Sequence, residues 1–212
     1  MNLANKLTLS RIVAIPFFVG FLTCGVNPQT PVWGQILCLW LGAITIIFAT
    51  VTDYYDGKIA RQRGLVSSFG KLMDPLADKI LVMSGYVLLI EISYPGTMTA
   101  LAPAWAVILI LAREFFVTGL RQIALEKGVV ISADRLGKHK TGWQLGLLIG
   151  VAVLLAFRAT ISVFQCVRSF LPVYDEITLF AFYLVLVIVL VLTLLSGYFY
   201  FRNNWALIKE AK

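Results

Sequence analysis

IVAIPFFVGFLTCGVNPQTPVWGQILCLWLGAITIIFATVT, residues 12–52, carries no charged side chain over 41 positions. A membrane-spanning helix needs about 20 predominantly apolar residues. This run is twice that length, and its middle, Asn27-Pro28-Gln29-Thr30-Pro31, combines turn formers with two prolines. The pattern predicts a helical hairpin with spans over 8–25 and 33–53. Outward along the chain, further apolar runs predict spans over 73–92, 99–120, 141–157 and 177–200, and Tyr94-Pro95-Gly96 closes the third. The expected fold is all-α: a polytopic membrane protein of six transmembrane helices, forming one integral-membrane domain over 1–212.

Composition agrees. Of 212 residues, 59% are apolar and 14% charged, with a mean hydropathy of +0.86. A soluble domain carries about 25% charged residues. Disordered, collagenous and disulfide-stapled classes are excluded. Cys24, Cys38 and Cys166 are odd in number, lie in apolar stretches and are expected as small apolar filler. The first apolar run lacks a small-x-small cleavage pattern and is expected to be a retained helix. Trp33, Trp105 and Trp143 fall near span ends as interface anchors. Gly42, Gly85, Gly146 and Gly150 are expected to permit close helix approach.

The net charge of +7 does not mark a nucleic-acid binder, because the charges lie between apolar runs. The 25–32 and 92–100 connections hold no Lys or Arg, and 158–176 holds only Arg158 and Arg168. The 54–72 and 121–140 segments and both ends hold most of the rest. By the positive-inside rule, those segments and both termini face the cytoplasm.

Directly after residue 52 comes Asp53-Tyr54-Tyr55-Asp56-Gly57-Lys58-Ile59-Ala60-Arg61, then Gly70, Asp74 and Asp78. Asp53 and Asp56 are i, i+3, and Asp74 and Asp78 are i, i+4, so each pair shares a helix face. Four ionisable groups at the mouths of membrane spans are costly and point to function. Converged carboxylates repel unless cations sit between them. Oxygen ligands without His or Cys suit Mg²⁺, Mn²⁺ or Ca²⁺ rather than Zn²⁺. A two-metal site for phosphoryl transfer is the most economical reading. Gly57 would let a substrate approach the backbone, and Arg61 would meet phosphate or the carboxylates. Asp74 near a helix start also has a plain dipole role available.

Asp53-x2-Asp56-Gly57-x2-Ala60-Arg61-x8-Gly70-x3-Asp74-x3-Asp78 resembles in full the signature of the CDP-alcohol phosphotransferase family. The resemblance implies a six-helix, usually dimeric membrane enzyme with a cytoplasm-facing site, which displaces CMP from a CDP-linked lipid with an alcohol. It implies two metals, Mg²⁺ or Mn²⁺: one held by Asp53, Asp56 and Asp74, the other by Asp53, Asp74 and Asp78. Asp78 would also be the general base. Gly57, Arg61, Ser67 and Gly70 would belong to the CDP-lipid site, with Asn5 and Thr8 touching nucleotide or lipid phosphate.

A second constellation is cationic. Arg113 lies about two turns inside span four, Arg121 ends it, and Lys138 and Lys140 open span five around His139, which carries no role. An unpaired charge at the depth of Arg113 is expensive. Together the four would surround a phosphate on the acceptor. The lysines are equally accounted for as positive-inside charges, and Glu114 as a partner of an arginine. A choline or ethanolamine acceptor would not call for so positive a pocket. The stretches 5–16, 112–121 and 137–141 are similar to the branch of the family that makes phosphatidylglycerophosphate. That similarity implies CDP-diacylglycerol and sn-glycerol 3-phosphate as substrates, in a bacterial-type cell membrane. Two other readings compete: another acceptor, such as phosphatidylglycerol or inositol phosphate, and a divalent-cation transporter. The second is opposed by acids gathered at one end and by Arg61 and Arg113 beside them.

Overall fold

The computed structural model describes residues 3–63, 68–95, 99–126 and 135–203, with the backbone alone at 3–8, 53–63, 68–75, 78, 125, 126, 135, 136 and 138. These residues form six α-helices: α1 (Leu3–Val26), α2 (Val32–Arg63), α3 (Ser68–Glu91), α4 (Ala104–Glu126), α5 (Arg135–Val163) and α6 (Leu171–Asn203). One 3-10 turn, Arg168–Phe170, precedes α6. Among the described residues there is no strand, only an isolated bridge between Ser93 and Ala100. The all-α expectation is met, one helix for each predicted span.

The shortest helix, with 23 residues, rises about 34 Å at about 1.5 Å per residue, enough for a hydrocarbon core of about 30 Å. Four segments are long and apolar enough to cross a membrane by themselves: Leu9–Val26, Val32–Thr52, His139–Val163 and Arg168–Asn203. Every 18-residue window of α4 contains Arg113, Glu114 and Arg121, and every such window of α3 contains Asp74, Asp78 and Lys79 or more. The charges that make these two helices chemically interesting thus set them apart from the other four. The protein is an integral membrane protein. Its apolar side chains face outward in numbers a soluble surface does not carry, including Trp33 at 73% and Phe180 at 72% exposure.

The hairpin forms where its turn residues predict. The Thr30 amide donates to the Asn27 carbonyl at 3.1 Å, and the Gln29 amide to Asn27 Oδ1 at 2.9 Å. From the first turns of α2, Gln35 Nε2 donates to the Asn27 and Thr30 carbonyls, both at 3.0 Å. The backbone groups freed by two prolines are thereby satisfied. Trp33, Trp105 and Trp143 are exposed, as interface anchors require, and the three cysteines are free.

Two compact units emerge. The first comprises residues 1–101 and 148–179, the second residues 102–147 and 180–212. In the first, α1 packs on α2 and α3, and Ile15, Ala49 and Leu81 form a buried cluster joining all three. Gly42 admits Leu22, whose side chain a Cβ would meet at 3.2 Å, and Gly85 admits Leu148, met at 2.6 Å. Gly146 and Gly150, expected in the same role, face open space within 4 Å. Small residues mark where a neighbour is permitted, and packing decides whether one is there.

The connection expected over 158–176 is much shorter, because α5 runs to Val163 and α6 begins at Leu171. Asp175 makes the extension possible. It accepts from Arg158 Nε at 2.8 Å, Arg158 Nη2 at 2.9 Å and the Tyr94 hydroxyl at 2.8 Å. The Arg158 guanidinium also lies 5.4 Å from the centre of the Tyr94 ring, and the Tyr174 hydroxyl donates to the Leu154 carbonyl. Arg158 is thus paired on a helix rather than solvated in a loop. Burial and the bond to Asp175 hold the Tyr94 phenol well above its ordinary value, against the opposing pull of Arg158 and Thr178.

Candidate active site

The span expected to end at residue 53 continues as helix for ten residues, to Arg63. Lys58, Ala60, Arg61, Gln62 and Arg63 are strong helix formers, so α2 persists beyond its apolar stretch. Asp53, Asp56, Gly57 and Arg61 therefore sit on one continuous helix. α3 begins five residues before the expected span and carries Gly70, Asp74 and Asp78. The side chains of all these residues, and of Asn5, Thr8 and Lys138, lie outside the described ones, as does Ser67 altogether. Ala49 stands one turn before Asp53 on the same face of α2, and Leu81 three residues after Asp78 on the same face of α3. The Ile15–Ala49–Leu81 cluster joins α2 and α3 at that level. Arg11, one turn from Ile15 on α1, is buried at 1% exposure.

The cationic set is built by α4 and by the parts of α5 and α6 that belong to the second unit, residues 135–147 and 180–203. Adjacent residues on a helix diverge by about 100°, so Arg113 and Glu114 serve different neighbours. Arg113 Nη2 donates to Ser196 Oγ on α6, while Glu114 Oε1 accepts from Lys140 Nζ on α5. Arg113 Nη1 is 3.9 Å from Glu114 Oε1, an ion pair without a hydrogen bond. Gly197 lets the Arg113 stem lie against α6: a Cβ there would stand 3.2 Å from Arg113 Cγ. Two turns along α4, Arg121 Nε donates to the Tyr200 hydroxyl at 3.3 Å, with its guanidinium 5.5 Å from that ring's centre.

Lys140 is buried at 1% exposure, and its pairing with Glu114 offsets part of the cost of burying its charge. Among the described side chains here there are three cations, Arg113, Arg121 and Lys140, and one carboxylate, Glu114. That is a net charge of +2 held in a low-dielectric setting, suited to a dianion. The structure brings Arg113, Glu114 and Lys140 together and sets Arg121 beside Tyr200. Glu114 proves to be the counter-ion of a lysine as well as the neighbour of an arginine.

The contribution of α6 was not visible from residue type alone. Its exposed face repeats as Phe180, Leu184, Val187, Val191, Leu194 and Tyr198; its buried face as Phe182, Leu186, Val189, Thr193, Ser196 and Tyr200. Three polar residues at i, i+3 and i+7 in an otherwise apolar span are the signal that finds it.

Residues 1–195 match the family model described as CDP-alcohol phosphatidyltransferase. The chain is 38% identical over 218 aligned residues to a Bacillus subtilis (strain 168) protein, covering 99% of this chain and 98% of that one. It is 36% identical to a Rickettsia bellii protein (95% and 94% covered) and 36% identical to a Yersinia enterocolitica protein (71% and 76% covered). All three relatives are named CDP-diacylglycerol–glycerol-3-phosphate 3-phosphatidyltransferase. Members of the matched family are in general dependent on divalent metal.

Proposed function

The chain belongs to the CDP-alcohol phosphatidyltransferase family, and from that premise we propose that it transfers the phosphatidyl group of CDP-diacylglycerol to sn-glycerol 3-phosphate. The products are phosphatidylglycerophosphate and CMP. The observation that carries the choice of acceptor is that, among the described residues, the cations Arg113, Arg121 and Lys140 gather with the single carboxylate of Glu114, an excess of positive charge that complements a phosphate monoester of about −1.5 to −2 at neutral pH. A neutral or cationic alcohol would draw no such attraction. The names of the relatives support the same acceptor.

The hydroxyl of glycerol 3-phosphate attacks the phosphorus that bears diacylglycerol. A new P–O bond forms, the P–O bond to CMP breaks, and CMP departs as a phosphate monoester. Asp78 takes the proton from the attacking hydroxyl. Arg113 and Arg121, with Lys138 and Lys140, hold the acceptor phosphate and orient that hydroxyl. Asn5, Thr8, Gly57, Arg61, Ser67 and Gly70 bind the CDP-lipid.

The all-oxygen, acidic donor set of Asp53, Asp56, Asp74 and Asp78 fits two Mg²⁺ or Mn²⁺ ions, and the Ile15–Ala49–Leu81 cluster supports the approach of the helices that carry it. Such ions, when bound, neutralise the pyrophosphate and the departing phosphate. Six membrane crossings, with the site and both termini on the cytoplasmic side, are supported by six helices of sufficient length and by the Lys/Arg asymmetry. A homodimer is supported by the family resemblance.

The test is CMP release by purified protein from CDP-diacylglycerol, with and without Mg²⁺ and sn-glycerol 3-phosphate. Release should require both. Release with phosphatidylglycerol or inositol phosphate but not glycerol 3-phosphate would overturn the acceptor and keep the chemistry. No release with any acceptor would overturn the reaction.

A further inference from the structure

We propose that Gln144 on α5 and Thr193 on α6, with Ser196, line the acceptor site one turn beyond Arg113 and set its preference for a phosphorylated alcohol. The inference rests on the function proposed above and adds residues from the last two helices.

Six helical threonines in this protein satisfy their hydroxyls by donating to the carbonyl four residues earlier. Thr45, Thr50, Thr52, Thr118 and Thr160 do so at 2.6–2.8 Å, and Thr141 at 3.1 Å. That is the inexpensive solution inside a membrane. Thr193 departs from it. It is 0% exposed, and its Oγ1 has no hydrogen-bond partner among the described residues. Gln144, at 1% exposure, has an amide Nε2 in the same condition, and so does Arg113 at Nε.

The register relates these groups. Gln144 is one turn along α5 from Lys140, which meets Glu114; Thr193 is one turn before Ser196 on α6, which meets Arg113. Both therefore extend the faces of α5 and α6 that already contact α4 at Arg113 and Glu114.

All three unpartnered groups are able to donate: a guanidinium N–H, an amide NH₂ and a hydroxyl. Buried donors without acceptors are costly, so the arrangement calls for a ligand rich in acceptors. A metal ion supplies none and would be repelled by Arg113 and Lys140. An alkyl chain supplies none. A phosphate dianion presents three acceptor oxygens and is attracted by the guanidinium of Arg113 beside it. Thr193 and Gln144 thus read the phosphate of the acceptor by hydrogen bonds where the arginines read it by charge, and a non-phosphorylated alcohol leaves both donors unsatisfied.

The test compares wild type with Thr193→Val, Thr193→Ser and Gln144→Leu in detergent, using sn-glycerol 3-phosphate and glycerol as alternative acceptors. T193V and Q144L should each raise KM for glycerol 3-phosphate about tenfold, while KM for CDP-diacylglycerol stays within about twofold; T193S should be near wild type. Selectivity for glycerol 3-phosphate over glycerol, as a ratio of kcat/KM, should fall by the same factor. Unchanged KM in both folded variants, equal losses with the two acceptors, or T193S as impaired as T193V would overturn the assignment. If Q144L does not fold, the isosteric Q144E serves: a carboxylate there should weaken glycerol 3-phosphate more than T193V does, and a normal KM would count against the site. Thermal stabilisation by inorganic phosphate separates the two levels. Stabilisation of wild type that is lost in T193V upholds the anion site even if wild type turns over no glycerol 3-phosphate. Wild type stabilised by neither phosphate nor glycerol 3-phosphate refutes it.

Discussion

Replacing Glu114 by Gln tests the electrostatics of the cationic pocket most directly. Glu114 is the carboxylate that meets Lys140, and Lys140 is buried at 1% exposure. Removing one partner of a buried pair takes away a main compensation of the other charge, at a cost of up to about 3–5 kcal/mol. Glu114 itself is 18% exposed, which places the expected loss near the lower end, about 3 kcal/mol. For a chain of this size that corresponds to a fall in Tm of about 6–12 °C. Lys140→Met should cost less, because Glu114 keeps Arg113 at 3.9 Å and some access to solvent. The double variant E114Q/K140M should recover much of the loss, since the buried ammonium that E114Q deprives of its carboxylate is then gone. Thermal unfolding in detergent, followed by tryptophan fluorescence, gives all three values and their coupling. E114Q within about 2 °C of wild type, with the two substitutions additive to about 0.5 kcal/mol, would refute the reasoning.

Three further outcomes are expected. Asp78→Asn should abolish CMP release while leaving CDP-diacylglycerol binding within a few-fold of wild type; loss of binding in a direct titration would make Asp78 chiefly a metal or structural ligand and remove the evidence for its role as base. Gly197→Ala should raise KM for glycerol 3-phosphate several-fold with little change in Tm, because the added Cβ stands 3.2 Å from Arg113 Cγ and displaces that side chain; an unchanged KM would detach Arg113 from the acceptor. The Tyr94 phenol is raised in the folded state, so its contribution to stability is complete below the ordinary phenol pKa of about 10 and is lost as the pH rises above it. Tm measured from pH 9 to 11 should fall less steeply in Tyr94→Phe than in wild type, and parallel curves would contradict the assignment.

Much of the fold was legible in residues 12–52 alone, because apolarity and turn chemistry act locally. Two prolines and an asparagine in the middle of an apolar run dictate a hairpin whatever packs around it, and Gln35 satisfies the exposed carbonyls from the next turn. The ends of the helices were less legible. α2 and α5 outrun their apolar segments, since helix formers continue after hydrophobicity ends and Asp175 lets Arg158 remain on a helix.

The candidate site divides in the same way. The spacing of Asp53, Asp56, Asp74 and Asp78 and the family signature are statements about order along the chain, so the sequence by itself determined which family the chain joins and which residues are proposed to carry the metal chemistry. Which cation is matched by which carboxylate is different, because Lys140 and Glu114 are 26 residues apart and Arg113 and Ser196 are 83 apart. Such pairs are chosen by how helices rotate and approach, and many rotations satisfy the same apolar pattern. Tertiary structure alone decided that Lys140 is buried against Glu114, that α6 meets Arg113 and Arg121, and that Gln144 and Thr193 hold donors without a partner among the described residues.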